Sequence, residues 1–324
     1  MGIIILIIAL FLVLASYWAY TVAFYSPKTR RSTPDDPIKG AQYEAVAEHL
    51  NRITGIMRQY SCEAVTTESY DGIALHGRYY HFRDHAPIQI LFHGYRSHPF
   101  RDCCGGHSLA RKMGYNVLVV DQRGHGKSSS KTICFGVKER HDCLSWIKYA
   151  SDRFGYDMPI LLSGISMGAA TVLMASEFPM PDNVACIIAD SPYSSPAAII
   201  EKVCTDRHYP VTLCRPIIHL AAFLFGKFRL SACTACGAVR KARIPILLIH
   251  GEADDFVPCD MTLEIAANCA SRVEVVTFPG AGHGLSYISD PIRYEKAVYH
   301  FLSSIPALDG TIDPLYIAKL NENI

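Results

Sequence analysis

Gly164-Ile165-Ser166-Met167-Gly168 follows an apolar run, Ile160 to Leu162, and precedes small or apolar residues at helical spacing: Ala169, Ala170, Val172, Leu173 and Ala175. Gly-x-Ser-x-Gly between a strand and a helix is the nucleophile-elbow pattern. A serine in such a strained turn forces its neighbours' backbones close together, and glycine alone leaves room on both sides. The turn lifts Oγ clear of the sheet. It also leaves the Met167 N–H at a helix N-terminus, aimed where an oxyanion forms. The plainer reading is a glycine-rich turn. The two differ in whether the chain supplies partners for Ser166.

Ser166 needs a base, and the base needs an orienting acid. His283 stands in the glycine-rich stretch Pro279-Gly-Ala-Gly-His-Gly284, after the final apolar run, and is the candidate base. Asp254, in His250-Gly-Glu-Ala-Asp-Asp-Phe-Val-Pro258, is the candidate acid, with Asp255 beside it and Asp190 as a rival. A second oxyanion donor is expected from His93-Gly94-Tyr95: the Tyr95 N–H donates, Gly94 permits the bend, and His93 braces the loop. Asp121-Gln-Arg-Gly-His-Gly-Lys-Ser128 lacks the spacing of a phosphate loop and reads as structural.

These motifs sit on a regular frame. Strands are expected at 62–68, 73–80, 88–93, 116–121, 160–162, 184–190, 244–250 and 273–278. Helices are expected at 101–113, 136–154, 261–269 and 291–302. Apolar strands alternating with helices give a mostly parallel sheet covered on both faces, with the first two strands as an antiparallel edge. Each motif directly follows a strand, so all fall on the carboxyl rim, where such sheets bind ligands. Residues 192–243 interrupt the alternation. The strongly apolar Ile217-Ile-His-Leu-Ala-Ala-Phe-Leu-Phe225 within them reads as a helical cap over Ser166, and as a membrane contact less readily.

In these motifs the chain resembles the α/β-hydrolase superfamily over about residues 60–302. The resemblance rests on His93-Gly94, Asp121…Arg-Gly-His-Gly…Ser128, Gly-Ile-Ser-Met-Gly, His-Gly-x-x-Asp-x-x-Val-Pro and Gly-His283. More narrowly it is similar to bacterial membrane-anchored members near the serine-aminopeptidase and dienelactone-hydrolase branches. Ala169 replaces the second glycine usual after Gly168 in the peptidase branch. The resemblance implies the chain order Ser166…Asp254…His283. It implies an esterase or lipase acting on an acyl ester or thioester, without metal or cofactor. A peptidase or acyltransferase is the alternative within enzymes, and a silent scaffold is the alternative outside them.

Residues 3–25 carry no charge and, as a helix, reach about 34 Å, enough to cross a bilayer. Tyr17, Trp18, Tyr20, Phe24 and Tyr25 crowd one end, as an interfacial belt does. Lys28, Arg30 and Arg31 follow, which puts the remainder in the cytoplasm by the positive-inside rule. A signal peptide is the rival, but a basic n-region is missing. Tyr43, Val46, Leu50, Ile53 and Met57 recur at helical spacing after a Pro/Asp-rich linker at 33–39. The chain is thus expected to divide into an anchor (3–25), a linker and amphipathic helix (26–59), a hydrolase domain (60–305) with a cap at about 192–243, and a tail (306–324). A net charge of +1 over 324 residues gives no reason to expect a nucleic-acid partner. Acyl substrate and membrane are the expected partners, and oligomeric state is not legible. The 12 cysteines lack a compact disulfide framework, and Cys233-Thr-Ala-Cys236 has no second pair to complete a zinc site.

Overall fold

The computed structural model describes residues 2–36 and 41–322. The expected linker at 33–39 and tail at 306–324 therefore lie partly outside the described residues. A long apolar helix, α1 (Gly2–Ala23), comes first, then α2 (Ala41–Glu44) and α3 (Ala47–Gln59). Next are β1 (Glu63–Glu68), β2 (Ala74–Tyr80), β3 (Ile88–Phe92), α4 (Pro99–Asp102), α5 (Cys104–Lys112) and β4 (Asn116–Asp121). They are followed by α6 (Glu139–Phe154), β5 (Ile160–Ile165), α7 (Met167–Ala175) and β6 (Val184–Asp190). An insertion then carries α8 (Pro196–Asp206), α9 (Val211–Leu224) and α10 (Ala235–Val239). The chain closes with β7 (Ile246–Gly251), α11 (Cys259–Ala267), β8 (Val273–Phe278), α12 (Ser286–Ser289), α13 (Pro291–Ser303) and α14 (Pro314–Glu322).

The strands form one eight-stranded sheet in the order β1-β2-β4-β3-β5-β6-β7-β8. β1–β2 and β2–β4 pair antiparallel, and the other pairs are parallel. The period of two along a strand separates the two faces. On β4, Val117 and Val119 join the core under α3, α5 and α13, while Leu118 and Val120 join the core under α6 and α7. Leu247 and Ile249 against Ile246 and Leu248 repeat that split on β7. Polar caps set two helix starts. Ser195 Oγ accepts from the Ala198 N–H at 3.1 Å and Asp290 Oδ1 from the Arg293 N–H at 3.0 Å, each followed by proline.

Three local expectations need correction. The helix expected at 101–113 bends at Cys103 into α4 and α5. The bend turns Asp102 toward the loop after β3 while Leu109 and Ala110 stay on the sheet. The helix expected from 136 starts at Glu139, because Gly136 is left-handed (φ 87°). Glu139 instead caps that start, accepting from the Cys134 and Gly136 N–H groups. Residues 306–322 pack rather than trail: Tyr316 and Leu320 of α14 are buried in the core beside α5 and α13. The amphipathic helix packs on the domain as α3, through Leu50, Ile53 and Met57.

Candidate active site

Ser166 lies between β5 and α7 with φ 56° and ψ −117°, a left-handed conformation that costs a non-glycine residue about 1–3 kcal/mol. The flanking glycines are sterically required. A Cβ on Gly164 would strike the Gly168 carbonyl, and one on Gly168 would strike the Phe92 carbonyl of β3. The strained turn is held from below, where the Ser166 N–H donates to Asp190 O at 2.9 Å.

His283, in the loop after β8, reaches Ser166 with Nε2 2.9 Å from Oγ. Its Nδ1 is 2.7 Å from Asp254 Oδ2, in the loop after β7. All three are buried. Burial opposes ionisation of Asp254, but hydrogen bonds from His250 and His283 hold its carboxyl well below the usual range. Oδ1 also accepts from the Phe256 N–H at 2.9 Å and the Val257 N–H at 2.8 Å. An ionised carboxylate only accepts, so His283 Nδ1 must donate to it. In the neutral imidazole Nε2 then carries no proton and accepts from the Ser166 hydroxyl. This arrangement is what a serine nucleophile needs.

Tyr95 follows Gly94 at the turn after β3, and Met167 is the first residue of α7. Among the described residues neither N–H donates to a protein acceptor, which leaves both available on the rim. Gly94 is fixed through its own N–H, which donates to Asp102 Oδ2 at 2.7 Å. His93 is buried, donates through Nδ1 to Gly94 O at 2.8 Å and accepts through Nε2 from the Gln122 N–H at 3.2 Å. That is the bracing role expected of it. Asp190 is not part of the chain from Ser166. Its buried carboxyl is pushed up to about 6 by burial, and it accepts from Ser191 Oγ at 3.0 Å and Ser286 Oγ at 3.3 Å. Asp255 is exposed.

A cavity of about 340 Å³ opens beside Ser166. Its apolar wall includes Leu50, Ile165, Leu285, Tyr287, Ile288 and Tyr294, and Arg101 and Asp102 are at its polar side. None of the cap residues expected to line it does so. Ile217, Ile218 and Phe225 pack instead on Ala19, Tyr20 and Phe24 of the α1 region. An apolar helix face takes the nearest apolar surface, and α1 supplies one. The cover over Ser166 is α2 with α3. Gln42 Oε1 accepts from the His283 N–H at 3.0 Å, and Tyr43 Oη donates to His283 O at 3.1 Å. The sequence carries no signal for these contacts, which join residues some 240 positions apart.

A family model described as "alpha/beta hydrolase fold" matches residues 90–212, and one described as "Serine hydrolase (FSH1)" matches residues 166–285. The chain belongs to the α/β-hydrolase superfamily. Among curated proteins this hydrolase is 26% identical to the uncharacterized protein YqkD of Bacillus subtilis (strain 168) over 60% of its length. It is 27% identical to human Protein ABHD12B over 63%. The matched regions span 64% and 57% of those relatives, under two thirds of each. Among solved structures, the esterase Pf2001 of Pyrococcus furiosus superposes with a TM-score of 0.62 at 21% identity, over 87% of the hydrolase and 97% of the esterase. Est1E of Butyrivibrio proteoclasticus, with ferulic acid bound, gives 0.55 at 22%, over 74% and 98%. At these identities the structural likeness speaks for the fold.

Proposed function

We propose that this hydrolase is a membrane-attached serine esterase that cleaves acyl esters or thioesters through an acyl-enzyme. The observation that supports it most is the unbroken hydrogen-bonded chain from Ser166 Oγ through His283 to Asp254. Ser166 Oγ attacks the acyl carbon as its proton passes to His283 Nε2. The Tyr95 and Met167 N–H groups hold the oxyanion. His283 then protonates the departing alkoxide or thiolate, and Asp254 keeps the imidazole oriented. Water, activated by the same histidine, releases the acid. The apolar wall of the cavity suits an uncharged acyl chain rather than a peptide. α1 is long and apolar enough to cross a bilayer, and Lys28 and Arg30 beyond it favour a cytoplasmic catalytic domain.

Fluorophosphonate labelling of the full chain, with and without Ser166→Ala, tests the nucleophile. Labelling that vanishes with the hydroxyl supports it, and labelling undiminished in the variant removes Ser166 from the mechanism. A panel of p-nitrophenyl esters beside an aminoacyl-amide tests the substrate. Faster cleavage of the amide than of any ester would make the protein a peptidase.

A further inference from the structure

We propose that α9 is a second membrane-embedded element, lying beside α1 in the leaflet that faces the hydrolase domain, over anionic lipid. The proposal rests on α1 being a membrane span.

The geometry leaves α9 little choice. At 1.5 Å per residue, the 22 residues of α1 cover about 33 Å, close to the hydrocarbon thickness of a bilayer. Nearly all of that length is used in spanning. The buried positions of α1 are Ser16, Ala19 and Tyr20, all in its last third. The side chains packed on this part come from the insertion and, at the helix end, from the loop at 132–135, where Thr132 Oγ1 lies 2.8 Å from Tyr20 Oη and the Phe135 ring 5.6 Å from Phe24. Phe225, just past α9, sits 5.2 Å from the Tyr17 ring and 5.9 Å from the Tyr20 ring. Phe228 sits 5.4 Å from Phe24. Ile217, Ile218, Ala221 and Ala222 of α9 join the same cluster. A helix held against the last third of a span shares its depth, at the acyl–headgroup boundary.

The outer face of α9 fits that position. Leu213 is 65% exposed and Phe223 52%, although large apolar side chains are otherwise mostly buried outside α1. The surroundings carry the charge that an anionic surface attracts. Residues 207–230 hold Arg207, Arg215, Lys227 and Arg229 and no acidic residue, and residues 1–34 hold Lys28, Arg30 and Arg31 and no acidic residue. Arg215 is paired with Glu201 at 2.7 Å, and the Arg31 guanidinium is spent on loop carbonyls. Lys28, Arg30, Lys227 and Arg229 are exposed. The last two flank Phe228, which fixes them beside the end of α1. Apolar side chains at a helix surface with such a basic rim describe an interfacial helix.

The test uses the full chain reconstituted in phosphatidylcholine vesicles with and without phosphatidylserine, their acyl chains brominated to quench tryptophan. The chain has two tryptophans, and Trp146 is buried against the sheet. With Trp18→Phe as background, Phe223→Trp reports on α9, and Leu213→Trp is a second reporter should the first disturb folding. Tyr156→Trp, at an exposed site preceding β5 on the opposite end of the sheet, is the control that stays in water. The expected result is about a twofold loss of the Phe223→Trp signal, little loss at 156, and deeper quenching with phosphatidylserine that Lys227→Glu with Arg229→Glu removes. Quenching at 223 and 213 no greater than at 156 overturns the proposal. Equal quenching in both lipids overturns its anionic part. Native Trp18 separates this failure from that of the span: Trp18 quenched with 223 unquenched sinks α9 alone, and Trp18 unquenched sinks both.

Discussion

The Tyr95 hydroxyl donates to the Ala23 carbonyl at 2.8 Å, tying the last turn of the apolar helix to the loop proposed to hold the oxyanion. Burial pushes the Tyr95 phenol up to about 12, so it remains a donor. Arg96 repeats the link: its guanidinium donates to Val22 O at 2.6 Å and Tyr25 O at 3.3 Å, and its N–H donates to His125 Nε2 at 2.9 Å. A helix end leaves carbonyls without intrahelical partners, and here two of them are satisfied by the loop after β3. Arg96 itself is held at φ 50°. The helix that would anchor the protein therefore also braces the loop beside the candidate active site.

Tyr95→Phe is expected to lower kcat about fivefold while KM for a short ester stays nearly constant. The change keeps the N–H and the ring and removes one neutral hydrogen bond, worth about 1 kcal/mol. Steady-state kinetics of the full chain in micelles checks it. An unchanged kcat, or a loss carried wholly by KM, would mean that the loop is set without the helix.

Asp254→Asn is expected to cost about 10⁴ in kcat, by analogy with loss of the acid in other triads. Asp255→Asn should be nearly silent, since Asp255 is exposed. Asp190→Asn should cost less than Asp254→Asn, because Asp190 supports Ser191 and Ser286 rather than His283 directly. A larger loss at Asp190 than at Asp254 would reassign the acid.

Asp190 also predicts a pH dependence of stability. Burial raises its folded pKa to about 6, and the hydrogen bond from the Ser191 hydroxyl only partly offsets that. A carboxyl with a raised folded pKa costs nothing below its unfolded value near 4. Stability is then lost as pH rises toward 6, by roughly 2–3 kcal/mol. Asp190→Asn should accordingly melt higher than the parent at pH 7 and level with it below pH 4. Thermal melts across that range check the sign, and a gap that widened in acid would contradict it.

That Ser166, His283 and Asp254 come together was legible because each stands in a short motif after an apolar run, where local sterics dictate residue type. Gly164 and Gly168 show this directly, since a single Cβ at either would collide with backbone. The sheet was legible for a similar reason: runs such as 116–121 fit a buried strand. What covers Ser166 was not. Hydropathy marked both 217–225 and the Leu50 helix as apolar, but it does not say which apolar surface each will meet. That depended on contacts between distant segments, Phe225 with Tyr17 and Gln42 with His283. The bend at Cys103 escaped for the same reason, since Asp102 turns toward a loop from another part of the chain.

The last prediction follows from that exchange of covers. With the insertion turned toward α1, the acyl chain should enter between α3 and α12, where Leu50, Tyr287 and Ile288 face the cavity. Each buried methylene contributes about 0.8 kcal/mol, so four more should favour a longer ester by about 3 kcal/mol while room remains. The parent protein is then expected to prefer C8 over C2 esters in kcat/KM. Leu50→Trp fills the pocket and should move the optimum to shorter chains, leaving C2 hydrolysis largely intact. Phe223→Ala, on the outer face of α9, should leave the ranking of soluble esters unchanged. Specificity constants for C2, C4, C8 and C12 esters decide between the two sites. An optimum that ignores Leu50 but shifts with Phe223 would return the acyl pocket to the insertion.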